Sequence, residues 1–261
     1  AGIIALVKHM KEIGETHRLK QVWFNFPKKE ETDEYSVGEG NELTSLLLEI
    51  DGLFWNNNTS ELLGSTIEFG DIKLHVLAPD HDVAYENKPK EPDELGVRSD
   101  DWYIDLRTLI DNVDDDDIDE GGTNSQSIII LAECEGKKLL LPGDSTPKKL
   151  CDALQSYNKT NGTPLELDFM KLPHHGSTRN VTKNILNEVT CSNFIISTKK
   201  NNKYYFPNKE TIAKLIRYRD SADKAINVYF NYQESLDVLG ITAEELTENN
   251  INLNVCNEFN F

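Results

Sequence analysis

The spacing of apolar residues changes along this chain, and each change predicts a different element. Apolar residues three and four positions apart open the chain and predict an amphipathic helix: Ile3, Ile4, Val7, Met10 and Ile13. Over 19–27 apolar and polar residues alternate, which is typical of a half-buried strand. A second helix is predicted over 41–55, with Asn41 near its N-cap.

Two hairpins are predicted next, each from two apolar runs joined by a tight turn. The first covers 65–79 and turns at 70–71, and the second covers 127–144 and turns at 135–136. Helices and strands then alternate: helix 145–157, strand 165–173, helix 180–189, strand 191–198, helix 208–220 and strand 225–231. This order predicts an α/β or α+β fold, with sheets inside and helices outside, in one domain over 1–261.

Composition indicates a soluble globular protein. The 261 residues are 38% hydrophobic, and no apolar run reaches the roughly 18–20 residues that a membrane span needs. The four cysteines are far apart and form no CxxC pair, which argues against a disulfide framework. We therefore expect a reducing, cytoplasmic location.

Most of the net charge of −18 lies in one segment. Residues 80–120 hold sixteen acidic and four basic side chains, which leaves a net charge of only −6 for the rest. We interpret about 80–122 as an acidic insert, largely solvated and mobile, because its like charges repel one another. It disfavours loose nucleic-acid binding and offers a surface to a protein partner.

Three small polar clusters lie at predicted strand ends: 124–127, Gly143-Asp144 and 174–177. A carboxylate directly after the buried end of a strand must be solvated, paired or bound to a cation, so Asp144 is either a turn residue or a metal ligand. His174 and His175 raise the same question. In an extended segment they point to opposite sides, so one would bind a metal and the other would meet substrate, unless a turn at Gly176 brings them together.

Segments 124–150, 168–182 and 193–215 resemble the metallo-β-lactamase superfamily, and more narrowly the hydrolase domain of the ComEC/Rec2 competence proteins. In that group an N-x-x-S strand precedes a Gly-Asp aspartate that bridges two metals, and an HHGS segment supplies another ligand. The resemblance implies an αββα sandwich and a metal-dependent hydrolase, most often a phosphodiesterase or nuclease, with two Zn²⁺ or Mn²⁺ ions. It assigns Asp144 and one of His174 and His175 to the metals and to catalysis.

Four residues are candidates for substrate binding: Asn124, Ser177, Arg179 and Lys203. Ser177 and Arg179 are suited to a phosphate, although a polar turn before the next helix explains them equally well. Lys203 lies in a basic and aromatic stretch, 199–205, that suits a nucleic-acid strand or is a solvated loop.

The chain departs from the family pattern in two places. The H-x-H-x-D-H motif, which supplies most ligands in the family, is expected immediately before Ala1 and is absent from the 261 residues, which start as if the N-terminal part of the fold were missing. Either it precedes this sequence or the site is degenerate. Phe206 stands where the family usually has histidine before proline, which leaves the substrate open.

Three functions follow from these observations. The first is a metal-dependent phosphodiesterase or nuclease, with nucleic acid as substrate. The second is a catalytically degenerate module that binds a partner or regulates. A thioesterase or lactonase is a third candidate, because the same metals support that chemistry.

Overall fold

The computed structural model describes residues 2–24, 35–56, 59–79, 100–121, 124–162 and 164–259, without the side chains of 35–39 and 55–56. These residues form two compact units. The described part of the smaller unit ends at Leu63, and the larger comprises Gly64–Pro79 and the described residues from 100 onwards. The single domain over 1–261 stays a prediction.

In the smaller unit the described residues form two helices and a two-stranded parallel sheet: α1 (Gly2–Glu12), β1 (Gln21–Trp23), α2 (Tyr35–Leu48) and β2 (Phe54–Asn56). The opening helix is confirmed, although Ile3 and Ile13 are more than half exposed. The predicted bounds of α2 are wrong. It begins six residues before Asn41 and ends before Gly52, whose φ of 73° leaves the helical region, so 54–56 are free to form a strand.

The larger unit is built on one mixed sheet of eight strands. They are β3 (Thr66–Phe69), β4 (Ile72–Ala78), β5 (Ile129–Cys134), β6 (Lys137–Leu141), β8 (Phe169–Lys171), β10 (Asn193–Ile196), β11 (Ile226–Phe230) and β12 (Ile251–Val255), hydrogen-bonded in that order. The first four are antiparallel, and β6 to β12 are parallel. Two short strands, β7 (Leu165–Glu166) and β9 (Val189–Thr190), pair separately.

The described residues of this unit form six helices: α3 (Leu106–Asp111), α4 (Pro147–Asn161), α5 (Lys183–Asn187), α6 (Lys209–Tyr218), α7 (Gln233–Asp237) and α8 (Ala243–Glu248). The predicted α/β class and both hairpins are confirmed. Within the described ranges, no helix has the length and apolar character to cross a bilayer. The strand predicted over 165–173 is divided, because the Asp168 carboxylate accepts a hydrogen bond from Lys138 N at 2.9 Å and turns the chain into the main sheet.

The core lies where the sheet meets these helices. Its central strands contribute residues that are almost wholly buried: Ile129, Leu131, Leu140, Met170, Ile196, Val228 and Phe230. Leu150, Leu154, Ile185 and Ile212 belong to the same buried cluster. Because β6, β8 and β10 run parallel, their carboxyl ends meet at one edge of the sheet, and the segments that follow them are brought together there.

Asp101 is anchored to the start of α6. Its carboxylate accepts a hydrogen bond from Glu210 N at 2.8 Å, whereas the N-cap residue of α6, Asn208, makes no side-chain cap. Asp101 is only 7% exposed. Burial, partly offset by hydrogen bonds from the backbone of α6, raises the pKa of Asp101 to about 6.

This pKa predicts a pH-dependent stability. Asp101 binds its proton more tightly in the folded than in the unfolded chain, so its contribution is complete below about pH 4 and is lost as the pH rises through 6. We expect the free energy of unfolding of Asp101→Asn, relative to wild type, to rise by roughly 2–3 kcal/mol between pH 4 and 7.5. Urea unfolding across that range measures it. The control Asp111→Asn, at an exposed position, should show a constant difference; a constant difference for Asp101→Asn would contradict the prediction.

Candidate active site

Asp144 follows β6 in a turn that favours glycine. Gly143 has a φ of 61°, and a Cβ there would lie 3.2 Å from the Cβ of Ser127. Asp144 N donates to Ser127 Oγ at 3.3 Å, and the Gly143 carbonyl accepts from His174 N at 3.2 Å. The turn after β6 is therefore bonded directly to the turn after β8.

His174 and His175 both have left-handed backbone conformations, with φ of 44° and 61°. The segment is therefore not extended, and of the two alternatives the turn is the one observed; the bend begins at His174 itself and continues through Gly176. Such conformations cost about 1–2 kcal/mol per non-glycine residue. Hydrogen bonds at both ends of the turn hold it: His174 N to Gly143 O, and Ser177 N to His174 O at 3.0 Å.

The ring of His175 points toward Asp144. Its Nδ1 lies 2.8 Å from the Ser197 carbonyl, and because a carbonyl only accepts, Nδ1 is the nitrogen that donates. Nε2 is left facing Asp144 Oδ2 at 3.9 Å. The two side chains are 44% and 43% exposed, so a ligand can reach both.

His174 is held by a buried polar network instead of by solvent. Its Nδ1 lies 3.1 Å from Asn180 Oδ1 and 3.4 Å from Asp119 Oδ2. Burial alone would lower the pKa of His174, but the hydrogen bond with Asp119 and the negative charge of Asp144 raise it above its usual value.

Asp119 is the centre of that network, and sequence reasoning missed it. Besides its contact with His174, its carboxylate accepts three hydrogen bonds at 2.8 Å, from Gly121 N, Asn124 Nδ2 and Asn180 Nδ2. Burial would raise the pKa of this carboxyl, but the surrounding donors outweigh it and hold the pKa well below its usual range. The candidate Asn124 therefore reaches the site through Asp119.

The acidic insert is not a solvated loop where the structure describes it. Asp115 pairs with Lys214 at 2.8 Å, Asp117 with Arg179 at 2.9 Å, and Asp119 with His174. The prediction of a largely solvated segment is therefore wrong for 114–121, because every second acid has a partner in the fold. Trp102, Leu106 and Leu109, earlier in the insert, belong to the core. Residues 80–99 and 122 lie outside the described residues.

The predicted phosphate-binding residues occupy different surroundings. Ser177 is buried, with 4% of its surface exposed. The Arg179 guanidinium donates from Nε to Asp117 and from Nη2 to the Ile118 carbonyl at 3.0 Å. Lys203 lies over the ring of Tyr204, 4.8 Å from its centroid. Their role in substrate binding stays a prediction.

Phe206 joins that aromatic stretch to the histidines. Its ring centroid lies 5.4 Å from that of His174, 6.1 Å from that of His175 and 6.0 Å from that of Tyr204. Sequence reasoning also missed Lys171, the last residue of β8, whose Nζ donates to the Leu172 carbonyl at 3.1 Å. Burial lowers the pKa of Lys171, while the charge of Asp144 opposes that shift.

The donor set suits Zn²⁺ or Mn²⁺ in kind, because imidazole and carboxylate are ligands of both metals. The 3.9 Å between His175 Nε2 and Asp144 Oδ2 is a span that one ion with bonds of about 2.0–2.2 Å bridges. Among the described residues, however, no group of three His, Cys, Asp or Glu side chains could hold a metal. The described residues therefore fit part of a metal site.

Comparison with known proteins gives one distant relative. No family model matches the chain. Over 120 residues it is 28% identical to recombination protein 2 of Haemophilus influenzae, a match that covers 44% of this chain and 14% of that protein. The chain thus corresponds to a small part of that relative. This finding is a weak indication of the ComEC/Rec2 group and leaves the metallo-β-lactamase superfamily a prediction.

A buried lysine on α6 contacts both the acidic segment and the loop that follows the histidines, and these contacts yield a stability prediction. Lys214 is fully buried, and its Nζ contacts Thr178 O at 2.9 Å and Asp115 Oδ1 at 2.8 Å. We expect Lys214→Met to lower the free energy of unfolding by about 3–5 kcal/mol, because a carbonyl and a carboxylate lose their shared partner. Urea denaturation measures it.

The matched control is Lys224→Met, whose lysine is exposed and lies 3.5 Å from Asp220. Removing such a pair should cost less than about 1 kcal/mol. Equal losses in the two variants would show that the buried pair does not stabilise the loop.

Proposed function

We propose that this chain belongs to a metal-dependent hydrolase that cleaves phosphodiesters. The observation that carries the proposal is the convergence of Asp144 Oδ2 and His175 Nε2, 3.9 Å apart, at adjoining carboxyl ends of parallel strands. Both groups are accessible, and His174 lies beside them. A turn aspartate and a structural histidine would not need to face each other across an open edge.

The superfamily assignment belongs to this proposal. The eight-stranded mixed sheet with its helices is compatible with the αββα sandwich, and the distant similarity to recombination protein 2 supports the same group. We infer that the remaining ligands for two divalent ions come from outside the described residues, as the expected H-x-H-x-D-H motif would provide.

In the proposed reaction the residues of this chain bind and orient. The ions supply Lewis acidity that lowers the pKa of a water molecule and offsets developing negative charge. Asp144 and His175 would hold them, with His175 oriented by its bond to the Ser197 carbonyl. The ammonium of Lys171 adds positive charge near Asp144, and the ring of Phe206 lies beside both imidazoles.

The surroundings favour a substrate that carries bases. Tyr204 and Phe206 are stacked with an interplanar angle of 30°, and Lys203 lies over Tyr204. Aromatic rings that receive bases, beside lysines that meet phosphates, are typical of single-stranded nucleic-acid binding. Phe206 would thus replace a polar contact of the family pattern with a stacking surface.

A second candidate is a non-catalytic module that binds a partner. It is favoured by the lack, among the described residues, of any three side chains that could hold a metal. The fold and the acidic segment would then serve recognition only.

Replacing Asp144 tests the first proposal. With Mn²⁺ or Zn²⁺ present, we expect Asp144→Ala in the full-length protein to lower kcat/KM for bis-(p-nitrophenyl) phosphate at least about 100-fold, because a shared metal ligand is lost. Bound metal, measured on the same samples, should fall in parallel. The control Asp152→Ala removes an exposed carboxylate paired with Lys148 on α4 and should leave both unchanged.

Unchanged turnover in Asp144→Ala would remove the bridging role. A full-length wild type that binds neither metal and cleaves no phosphodiester would favour the non-catalytic module.

Replacing Phe206 tests the base-stacking surface. We expect Phe206→Leu to lower kcat/KM on a short single-stranded oligonucleotide by about 5- to 100-fold, since stacking contributes roughly 1–3 kcal/mol per base. On the same oligonucleotide with an abasic site next to the cleaved bond, the variant should match wild type. Phe206→Tyr should retain activity, and Phe69→Leu, on the half-exposed edge strand β3, is the control. An equal loss on both oligonucleotides would show that Phe206 only shapes the histidines.

A further inference from the structure

The hydrogen bonds around His174 determine which of its nitrogens carries the proton. The amide of Asn180 donates from Nδ2 to Asp119 Oδ2 at 2.8 Å and to the Ser145 carbonyl at 3.1 Å. Its Oδ1 is therefore the atom that faces His174 Nδ1, at 3.1 Å. Both atoms near Nδ1, this oxygen and Asp119 Oδ2, are acceptors, so Nδ1 must donate.

The orientation of Asn180 depends in turn on Asp119. Its three N–H partners at 2.8 Å, one at Oδ1 and two at Oδ2, are all satisfied only if both oxygens of residue 119 accept. A carboxylate meets this need because it has no hydrogen to donate. Gly121 allows this close approach, because a Cβ there would lie 3.0 Å from Asp119 Oδ1. Asn180 is fully buried, so no solvent can substitute for the carboxylate.

We propose that Asp119 is a positioning residue: by accepting from His174 directly and by orienting Asn180, it fixes His174 in the tautomer with the proton on Nδ1 and the lone pair on Nε2. His175 reaches the same tautomer independently, through the Ser197 carbonyl. Two adjacent imidazoles thus offer Nε2 as base or ligand. The inference rests on the proposed function only for what these lone pairs would bind.

An amide at position 119 should reverse the tautomer. In Asp119→Asn the NH₂ group of the new side chain would lie either against Gly121 N or against the two side-chain amides, where only acceptors fit. Asn180 relieves the second conflict by rotating its amide, at the cost of its hydrogen bond to the Ser145 carbonyl, and this turns Nδ2 toward His174 Nδ1. That nitrogen must then accept, and the proton moves to Nε2.

The experiment is long-range ¹H–¹⁵N correlation spectroscopy of the metal-free chain, labelled with ¹⁵N-histidine, at a pH where imidazole is neutral. In wild type we expect Nδ1–H to be the major form of both His174 and His175. In Asp119→Asn the major form of His174 should change to Nε2–H, while His175 stays as it is. Asp117→Asn, two residues earlier and paired with Arg179, should change neither.

Asn180→Ala distinguishes the effect of the Asp119 carboxylate on His174 from that of the Asn180 amide. Asp119 Oδ2, at 3.4 Å, can then accept directly from His174, so Nδ1–H should persist. Mn²⁺ titrated into each protein should bind about 10- to 100-fold more weakly to Asp119→Asn than to Asp117→Asn.

Persistence of Nδ1–H in Asp119→Asn, or a change to Nε2–H in Asn180→Ala, would overturn the inference. If Asp119→Asn does not fold, wild type and Asn180→Ala still decide it. Because these spectra need neither metal nor substrate, the inference can stand while hydrolysis is absent, and it can fail while hydrolysis is present.

Discussion

The hydrogen bond from His174 N to the Gly143 carbonyl is the contact on which the candidate site depends. It joins the turn after β6 to the turn after β8, two strands that lie side by side and run parallel. Neighbouring parallel strands have their carboxyl ends at one edge of the sheet, but this does not determine where the side chains that follow them point. The left-handed bend at His174 and His175 does that, and the bond to Gly143 holds the bend in place.

Charge around this edge is balanced pair by pair. A chain with a net charge of −18 would repel itself if its acidic segment were packed without partners. Asp115, Asp117 and Asp119 avoid this because each alternate side chain meets a lysine, an arginine or an imidazole. The same alternation is typical of an extended segment, whose successive side chains face opposite sides. The acidic segment thus stabilises the loop that carries the histidines.

Local signals in the sequence were sufficient for much of the fold. Both hairpin turns and the start of α4 at Pro147 follow from residues within a few positions of one another. Asp144 and the two histidines were found because polar groups at buried strand ends need a reason. The pairing of Asp115, Asp117 and Asp119 was missed because their partners are distant in sequence: Arg179 is 62 residues from Asp117. A charge run looks solvated until tertiary structure supplies its counter-charges, and its period of two was the available signal.

The arrangement bears on the choice between an enzyme and a binding module. Two adjacent left-handed histidines, one buried carboxylate and a fully buried lysine each carry a free-energy cost that a plain recognition loop would not need. Strain of this kind persists only where surrounding contacts enforce it, and here they act on both imidazoles: the Nδ1 of each is tied to an acceptor. The effect of that cost is to leave His175 Nε2 facing the Asp144 carboxylate at an accessible edge, with His174 beside them. Such convergence is what metal-assisted hydrolysis requires, and it supports the proposed hydrolase over the proposed binding module.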